Sequence, residues 1–397
     1  EIFLGLIDFL KGVWKKENLW IEFKFIFLRV SICIILRELI MLGARIDIAR
    51  GLPIIHLNFF GYDEHAHHRG PSSMDAHKAL KGIDQAIERI YKSALHSSRR
   101  QYDVWIYSDH GQDDVASYHA VHGSTVSKMV KKIYADFQSD KDLDTNLERL
   151  DFNTSEDVGV QFTRASYLGS WFEKLSIIKK EDLTIFKDSD VFVSAIGPTA
   201  QVYLKNQLTS AEKRELAQNF VHQGHIPIVM LPEENGKVRA WNKEGEFVLP
   251  ENTSEVFGSH HPYLKEISKD MIELCHHEQA GDFTLCGWIP NGKPISFPLE
   301  YGAHAGPGIG ETDAFAILPS DVFSPSTNEA YLTTKDLRQA ALRFLNRADD
   351  AEEPYSHSLS NKIIHSKTTF RLMTYNVHSC IGIDGKLSFE RIARVIA

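Results

Sequence analysis

Apolar and polar positions alternate along the chain between helical and extended spacing. Residues 37–50 keep helical spacing, and the apolar run 53–60 that follows is typical of a buried strand. A helix with one apolar face is predicted over residues 74–95, and a second apolar run lies at 103–108. Strand, helix and strand together predict a right-handed crossover with parallel strands. In such a unit, ligands bind at the carboxyl ends of the strands.

The middle of the chain is more polar and mixed. Short strands are predicted at 191–194 and 201–204. Thr209 and Glu212 form a capping box, which predicts the start of a helix. The Asn-Gly pair at 235–236 predicts a hairpin turn.

Composition changes towards the end of the chain. A helix is predicted at 334–346, and residues 347–367 have the acidic, serine-containing composition of a linker. A new apolar strand begins at about residue 370. We therefore expect one large α/β domain in residues 1–346, a linker, and the beginning of a second domain in residues 368–397.

Charge and length narrow the classes of function. The chain has 397 residues, of which 43% are hydrophobic, enough for a buried core. A net charge of −9 gives no overall attraction to nucleic acid, so nucleic-acid binding is not indicated. The apolar run 23–42 contains four charged residues, which favours a core helix over a membrane-spanning one.

Targeting is not determined by this sequence. The chain begins with Glu1, and no signal-peptide pattern precedes its first periodic segment. We expect an upstream segment to be missing, which leaves a cytoplasmic and a membrane-associated protein both open. Oligomeric state is also left open.

Three loops beside apolar runs carry side chains that can bind metal. These side chains are Asp63 and His67 in residues 61–71, Asp109 and His110 in residues 108–111, and His304 in residues 301–308. Carboxylate and imidazole are zinc ligands. Each loop alone also has an ordinary interpretation, as a histidine-rich surface loop or an Asx turn. Three such loops in one chain are harder to explain as coincidence.

The order of these motifs resembles a known family. An apolar run is followed by Asp-x-x-x-His-x-x-Gly-Pro, then a helix, then Ser-Asp-His-Gly, then a distant Gly-x-His-x-Gly. This order is similar to that of the type I phosphodiesterase and nucleotide pyrophosphatase branch of the alkaline phosphatase superfamily. The resemblance covers about residues 25–345. It implies an alkaline-phosphatase-like central sheet with helices on both faces, incomplete at the N-terminus. It also implies metal-dependent hydrolysis of small phosphate mono- or diesters.

The resemblance further implies two zinc-type ions. Asp63, His67 and His304 would hold the first, and Asp109 and His110 would supply half the ligands of the second. Manganese or iron accepts the same nitrogen and oxygen ligands. The family completes the second site with an upstream aspartate and a serine or threonine nucleophile, neither of which is found here. We therefore expect this chain to be an inactive fragment of an active enzyme.

A second resemblance lies in the last 28 residues. Residues 371–378 and 391–396 are similar to the opening of the endonuclease/exonuclease/phosphatase fold. This resemblance implies that Asn376 helps to bind a divalent ion, Mg²⁺, and phosphate. The chain stops before the metal-binding glutamate of that fold, so this part is also expected to be inactive. The alternative is a strand and a helix with no function of their own.

Other functions stay open at this point. The chain could be a non-catalytic metal-binding module or scaffold, or a transferase that moves a phospho-headgroup. The downstream domain could also perform the chemistry, with the larger domain as a carrier. The residues left without a role are His56, His65, His68, His260, His261, Glu300 and Asp282.

Overall fold

The computed structural model describes residues 31–142, 190–319, 331–345 and 347. The chain divides into two compact units. The first comprises Glu1–Arg37, Phe60–Gln85 and Tyr107–Ala316, and the second comprises Glu38–Phe59, Ala86–Ile106 and Ile317–Ala397. Apart from Arg347, the expected linker lies outside the described residues, as does the expected second domain with Asn376. Both stay predictions.

The helices of the described residues begin with a π-helical turn, Ser31–Leu36, which leads directly into the first α-helix. The α-helices are α1 Arg37–Arg50, α2 Tyr62–Arg69, α3 Met74–Leu95, α4 Tyr118–His122, α5 Val126–Asp142, α6 Ser210–His222, α7 Thr253–Phe257, α8 Leu264–Cys275, α9 Ile309–Thr312 and α10 Thr334–Phe344.

The strands are shorter than the helices. They are β1 Ile106–Tyr107, β2 Asp113–Asp114, β3 Ala116–Ser117, β4 Val191–Ile196, β5 Thr199–Leu204, β6 Ile228–Pro232, β7 Val238–Asn242, β8 Gly245–Leu249, β9 Phe283–Cys286, β10 Ile295–Ser296, β11 Gly302–Ala303 and β12 Ala316–Ile317.

A six-stranded sheet is the centre of the first unit. Its strand order is β4-β5-β9-β6-β7-β8, and every neighbouring pair is antiparallel. The β6–β7 hairpin turns at Gly236, whose positive φ of 76° suits the predicted Asn-Gly turn. The strands predicted at 191–194 and 201–204 are confirmed as β4 and β5.

Helices cover both faces of this sheet, because side chains on a strand alternate between its faces. Val229 and Leu285 pack into a core with α5 and α6. Ile228, Met230 and Cys286 point the other way and pack against α7 and α8. The predicted α/β class with helices on both faces of a central sheet is confirmed.

The predicted parallel crossover is not formed as expected. The helices predicted at 37–50 and 74–95 are confirmed as α1 and α3. The strand predicted at 53–60 is wrong, since this segment has no β-ladder, and the one predicted at 103–108 is reduced to β1. An apolar run specifies an extended, partly buried backbone, but a strand also needs a hydrogen-bonded neighbour, which the run itself does not specify.

The second unit contains most of α1, the last part of α3 and α10. Nε of Arg45 in α1 donates to Oγ of Ser93, 3.1 Å away, and Arg89 pairs with Glu38 at 3.3 Å. α1 buries Met41, Ala44 and Ile48 but leaves Leu39 and Leu42 exposed, so it is buried along one side only. Residues 23–30 of the core helix expected at 23–42 lie outside the described residues. Among the described helices, none has the length and apolar character needed to cross a bilayer.

Candidate metal centre

Helix α2 places Asp63 and His67 on the same side. Residues four apart in a helix are neighbours on its surface, and Nε2 of His67 lies 3.2 Å from Oδ1 of Asp63. Gly61 is the N-cap of this helix, and its positive φ of 115° is a backbone conformation that glycine adopts readily. The backbone N–H of Gly61 donates to the Glu64 carboxylate at 2.6 Å, which fixes the first turn.

His304 reaches this pair from β11. Gly302 and Ala303 pair antiparallel with β2, which brings the loop after residue 108 beside the loop after residue 301. A Cβ on Gly302 would lie 2.3 Å from the carbonyl oxygen of Ala66 in α2, so only glycine permits this approach. Nε2 of His304 consequently lies 3.5 Å from Oδ1 of Asp63.

The ligand-type atoms of this cluster are sheltered from solvent. Oδ1 of Asp63 and the Nε2 atoms of His67 and His304 are all buried. His110 belongs to the same group, since its ligand atom and those of Asp63 and His304 lie within 4.8 Å of one another. The rings of His110 and His304 stack with centroids 3.7 Å apart.

Asp109 is placed differently from the other predicted ligands. Its side chain is 77% exposed, and its Oδ2 lies 3.6 Å from Nε2 of His110. The structure thus brings together Asp63, His67 and His304, the residues expected at the first ion. It groups His110, expected at the second, with Asp63 and His304. Asp109 lies at the solvent-exposed side of this group.

Hydrogen bonds fix the tautomers of two histidines. Nδ1 of His67 lies 2.8 Å from the Glu300 carboxylate and 2.8 Å from the carbonyl oxygen of Gly302. A carbonyl oxygen only accepts, so Nδ1 carries the proton and the neutral ring has its lone pair on Nε2. Nδ1 of His110 likewise donates to the carbonyl oxygen of Gly111 at 2.7 Å. Both Nε2 atoms are therefore suited to bind a cation.

Two carboxylates, the buried Glu311 and the partly buried Asp113, hold the glycine-rich loop that follows His304. Glu311 accepts from the backbone N–H groups of Gly306 and Gly308 at 2.7 and 2.8 Å. Burial raises the pKa of Glu311 to about 7 despite these two hydrogen bonds. Asp113 accepts from the N–H groups of Gly310 and Glu311, and burial raises its pKa as well. These contacts tie the second predicted ligand loop to the third.

His261 fastens the same loop from the middle of the chain. Its Nε2 donates to the carbonyl oxygen of Pro307 at 2.8 Å, and its Nδ1 accepts from the N–H of Tyr263 at 3.1 Å. Both contacts suit a neutral ring, and burial lowers the pKa of His261. The hydroxyl of Tyr263 donates to Asp313, just beyond the loop.

Sequence reasoning missed Glu300, Glu311 and His261 as parts of this site. Each meets its partner through the fold, as with Glu300 and His67, which are 233 positions apart. No local pattern marks such a pair. The remaining unassigned histidines are scattered, with His56 and His260 exposed and His65 buried.

The central sheet with helices on both faces makes this a mixed α/β protein, consistent with an alkaline-phosphatase-like fold. The type I phosphodiesterase / nucleotide pyrophosphatase family matches residues 53–260, just over half of the chain. The chain belongs to this family, which supports a phosphoester hydrolase. The matched segment contains Asp63, His67, Asp109 and His110, whereas His304 lies beyond it. No curated protein matches the chain.

Proposed function

We propose that this chain forms part of a phosphoester hydrolase site in which Asp63, His67 and His304 hold a divalent ion. The observation that carries the proposal is the convergence of two imidazole nitrogens on one carboxylate oxygen, at 3.2 and 3.5 Å. Two histidines and one carboxylate are a zinc ligand set that leaves a coordination position open. Manganese and iron accept the same set.

The state of these side chains fits a cation. His67 presents the lone pair of Nε2, because its Nδ1 proton is engaged by Glu300 and Gly302. Asp63 supplies a negative charge, and the burial of Oδ1 strengthens its attraction for a cation, since the interior has a lower dielectric constant than water.

The arrangement has a direct consequence for phosphate chemistry. When bound, a divalent ion in such a site stabilises the charge on phosphoryl oxygens during ester cleavage. The protein's own contribution is to hold the Nε2 atoms of His67 and His304 at 3.2 and 3.5 Å from Oδ1 of Asp63 and to bury all three atoms. We propose that a substrate enters from the side of Asp109, whose side chain is 77% exposed.

A second ion is proposed at Asp109 and His110. Nε2 of His110 is the available ring nitrogen, and Oδ2 of Asp109 is 3.6 Å from it. Because His110 also lies beside Asp63 and His304, an ion held there would be adjacent to the first. Two adjacent cations can stabilise both the attacking and the leaving oxygen of a phosphoryl group.

The proposed substrate is a small phosphate mono- or diester. The net charge of −9 gives no general attraction to a polyanion such as nucleic acid.

Binding of inorganic phosphate to the zinc-loaded chain tests this proposal. We expect calorimetry to show phosphate binding that disappears when zinc is removed with a chelator. Asp63→Asn is expected to lose both zinc and phosphate, because the amide keeps the shape of the side chain but not its charge. The matched control is Asp84→Asn, on the exposed face of α3, which should bind like the wild type. Phosphate binding that is equal with and without zinc would contradict the proposal.

A further inference from the structure

Glu300 contacts both His67 and Ser296 through its carboxylate. Its Oε2 lies 2.8 Å from Nδ1 of His67, and its Oε1 accepts a hydrogen bond from the hydroxyl of Ser296. The side chains of Glu300 and His67 are only 14% and 19% exposed. Both carboxylate oxygens are therefore engaged, and the group is held largely out of water.

The position of Glu300 is fixed by the strand that precedes it. Ser296 is fully buried in β10, which pairs in parallel with β3. Strand pairing fixes the backbone that carries Ser296, so the hydroxyl is held where it can anchor the Glu300 carboxylate. A continuous series of contacts thus runs from β10 through Ser296 and Glu300 to His67.

We propose that Glu300 is a positioning residue that holds His67 as a metal ligand, an inference that rests on the proposed function. By accepting a hydrogen bond from Nδ1–H, the carboxylate keeps the lone pair on Nε2 and fixes the plane of the ring. Nε2 then faces Oδ1 of Asp63, 3.2 Å away. Outer partners of this kind orient metal-binding histidines and increase the basicity of the ligand nitrogen.

The second acceptor on His67 limits the expected effect. The carbonyl oxygen of Gly302 lies 2.8 Å from the same Nδ1, so one contact survives when Glu300 is removed. We therefore expect Glu300→Ala to weaken zinc binding by about 10- to 100-fold, the usual cost of losing an outer partner, without abolishing it.

Two conservative variants separate positioning from simple charge. Glu300→Gln keeps the length of the side chain, and its amide can still accept from Nδ1 of His67 while donating to the hydroxyl of Ser296. Glu300→Asp keeps the charge but is one methylene shorter, so it withdraws from Nδ1. Positioning predicts that Glu300→Asp binds zinc more weakly than Glu300→Gln, whereas a purely electrostatic role predicts the reverse order.

The experiment measures zinc dissociation constants of the full chain by competition with a chromophoric chelator. Thermal unfolding of the metal-free variants is measured in parallel, and the matched control is the exposed Glu278→Ala. We expect Glu300→Ala and Glu300→Asp to unfold cooperatively and bind zinc more weakly, with Glu300→Gln recovering most of the affinity. Ser296→Ala should give a smaller loss, because the carboxylate remains but is no longer anchored.

The outcomes separate this inference from the proposed function. Tight zinc binding by the wild type that is unchanged in Glu300→Ala and Glu300→Asp overturns the positioning role alone. Affinity that follows charge, with Glu300→Gln weaker than Glu300→Asp, also overturns it. A folded wild-type chain that binds no zinc overturns the proposed metal centre and the positioning role with it.

Discussion

The ionisation of Glu311 matters for the loop that carries His304. This carboxyl group is buried, and its pKa of about 7 lies well above the ordinary value of 4.5. Burial penalises the charged form more than the two glycine N–H groups stabilise it. The folded state holds this proton more tightly than the unfolded state does. Protonated Glu311 therefore makes its whole contribution to the free energy of unfolding below pH 4.5. This contribution is lost as the pH rises through 7.

We expect this loss to be measurable with Glu311→Gln, which cannot ionise. Between pH 5 and pH 8 the free energy of unfolding of the metal-free wild type should fall by about 2 to 3 kcal/mol more than that of the variant. Urea unfolding followed by tryptophan fluorescence in a chelating buffer measures both. Glu278→Gln, an exposed position, should keep the wild-type pH dependence. Identical pH dependence in Glu311→Gln would show that Glu311 does not ionise in this range.

At the scale of single elements, the contact between α2 and β11 decides whether His304 meets Asp63. Gly302 is the critical position, because a Cβ there would lie 2.3 Å from Ala66 O and 2.8 Å from Pro71 Cδ. Backbone atoms cannot rotate away as a flexible side chain can. A methyl group at residue 302 must therefore displace β11.

Gly302→Ala is expected to destabilise the protein by about 1–3 kcal/mol through overpacking. Gly43→Ala offers a contrast, since that glycine lies within α1 with no atom in contact range of an added methyl group. It should stabilise its helix by about 0.5–1 kcal/mol. The thermal unfolding midpoint should fall in Gly302→Ala and rise in Gly43→Ala. An unchanged midpoint for Gly302→Ala would mean that the contact between α2 and β11 has room for a methyl group.

The same elements show what the sequence could predict. α1 and α3 were predictable because helical periodicity and hydrogen bonding are local. The strand predicted from the apolar run 53–60 was wrong, because a strand depends on a hydrogen-bonded partner elsewhere in the chain. Asp63 and His304 were predicted as ligands because each lies in a recognisable local motif. Glu300 contacts His67 only through the fold, so no local sequence pattern indicated its role.

At the scale of the whole molecule, the family match includes only some of the proposed metal ligands, and the fold brings the others to them. The family match ends at residue 260, so it includes the loops of Asp63 and His110 but not that of His304. The antiparallel sheet and its two helical layers connect these regions, and the β2–β11 pairing places the loops side by side.

Zinc content of the full chain after dialysis shows whether Asp63, His67 and His304 form a metal site. We expect at least one bound zinc per wild-type chain and its loss in His304→Ala, because that substitution removes one of two imidazole ligands. His260→Ala, at an exposed histidine outside the cluster, should retain the metal. A folded wild-type chain without zinc, or a His304→Ala variant that retains it, would contradict the claim that Asp63, His67 and His304 hold a common ion.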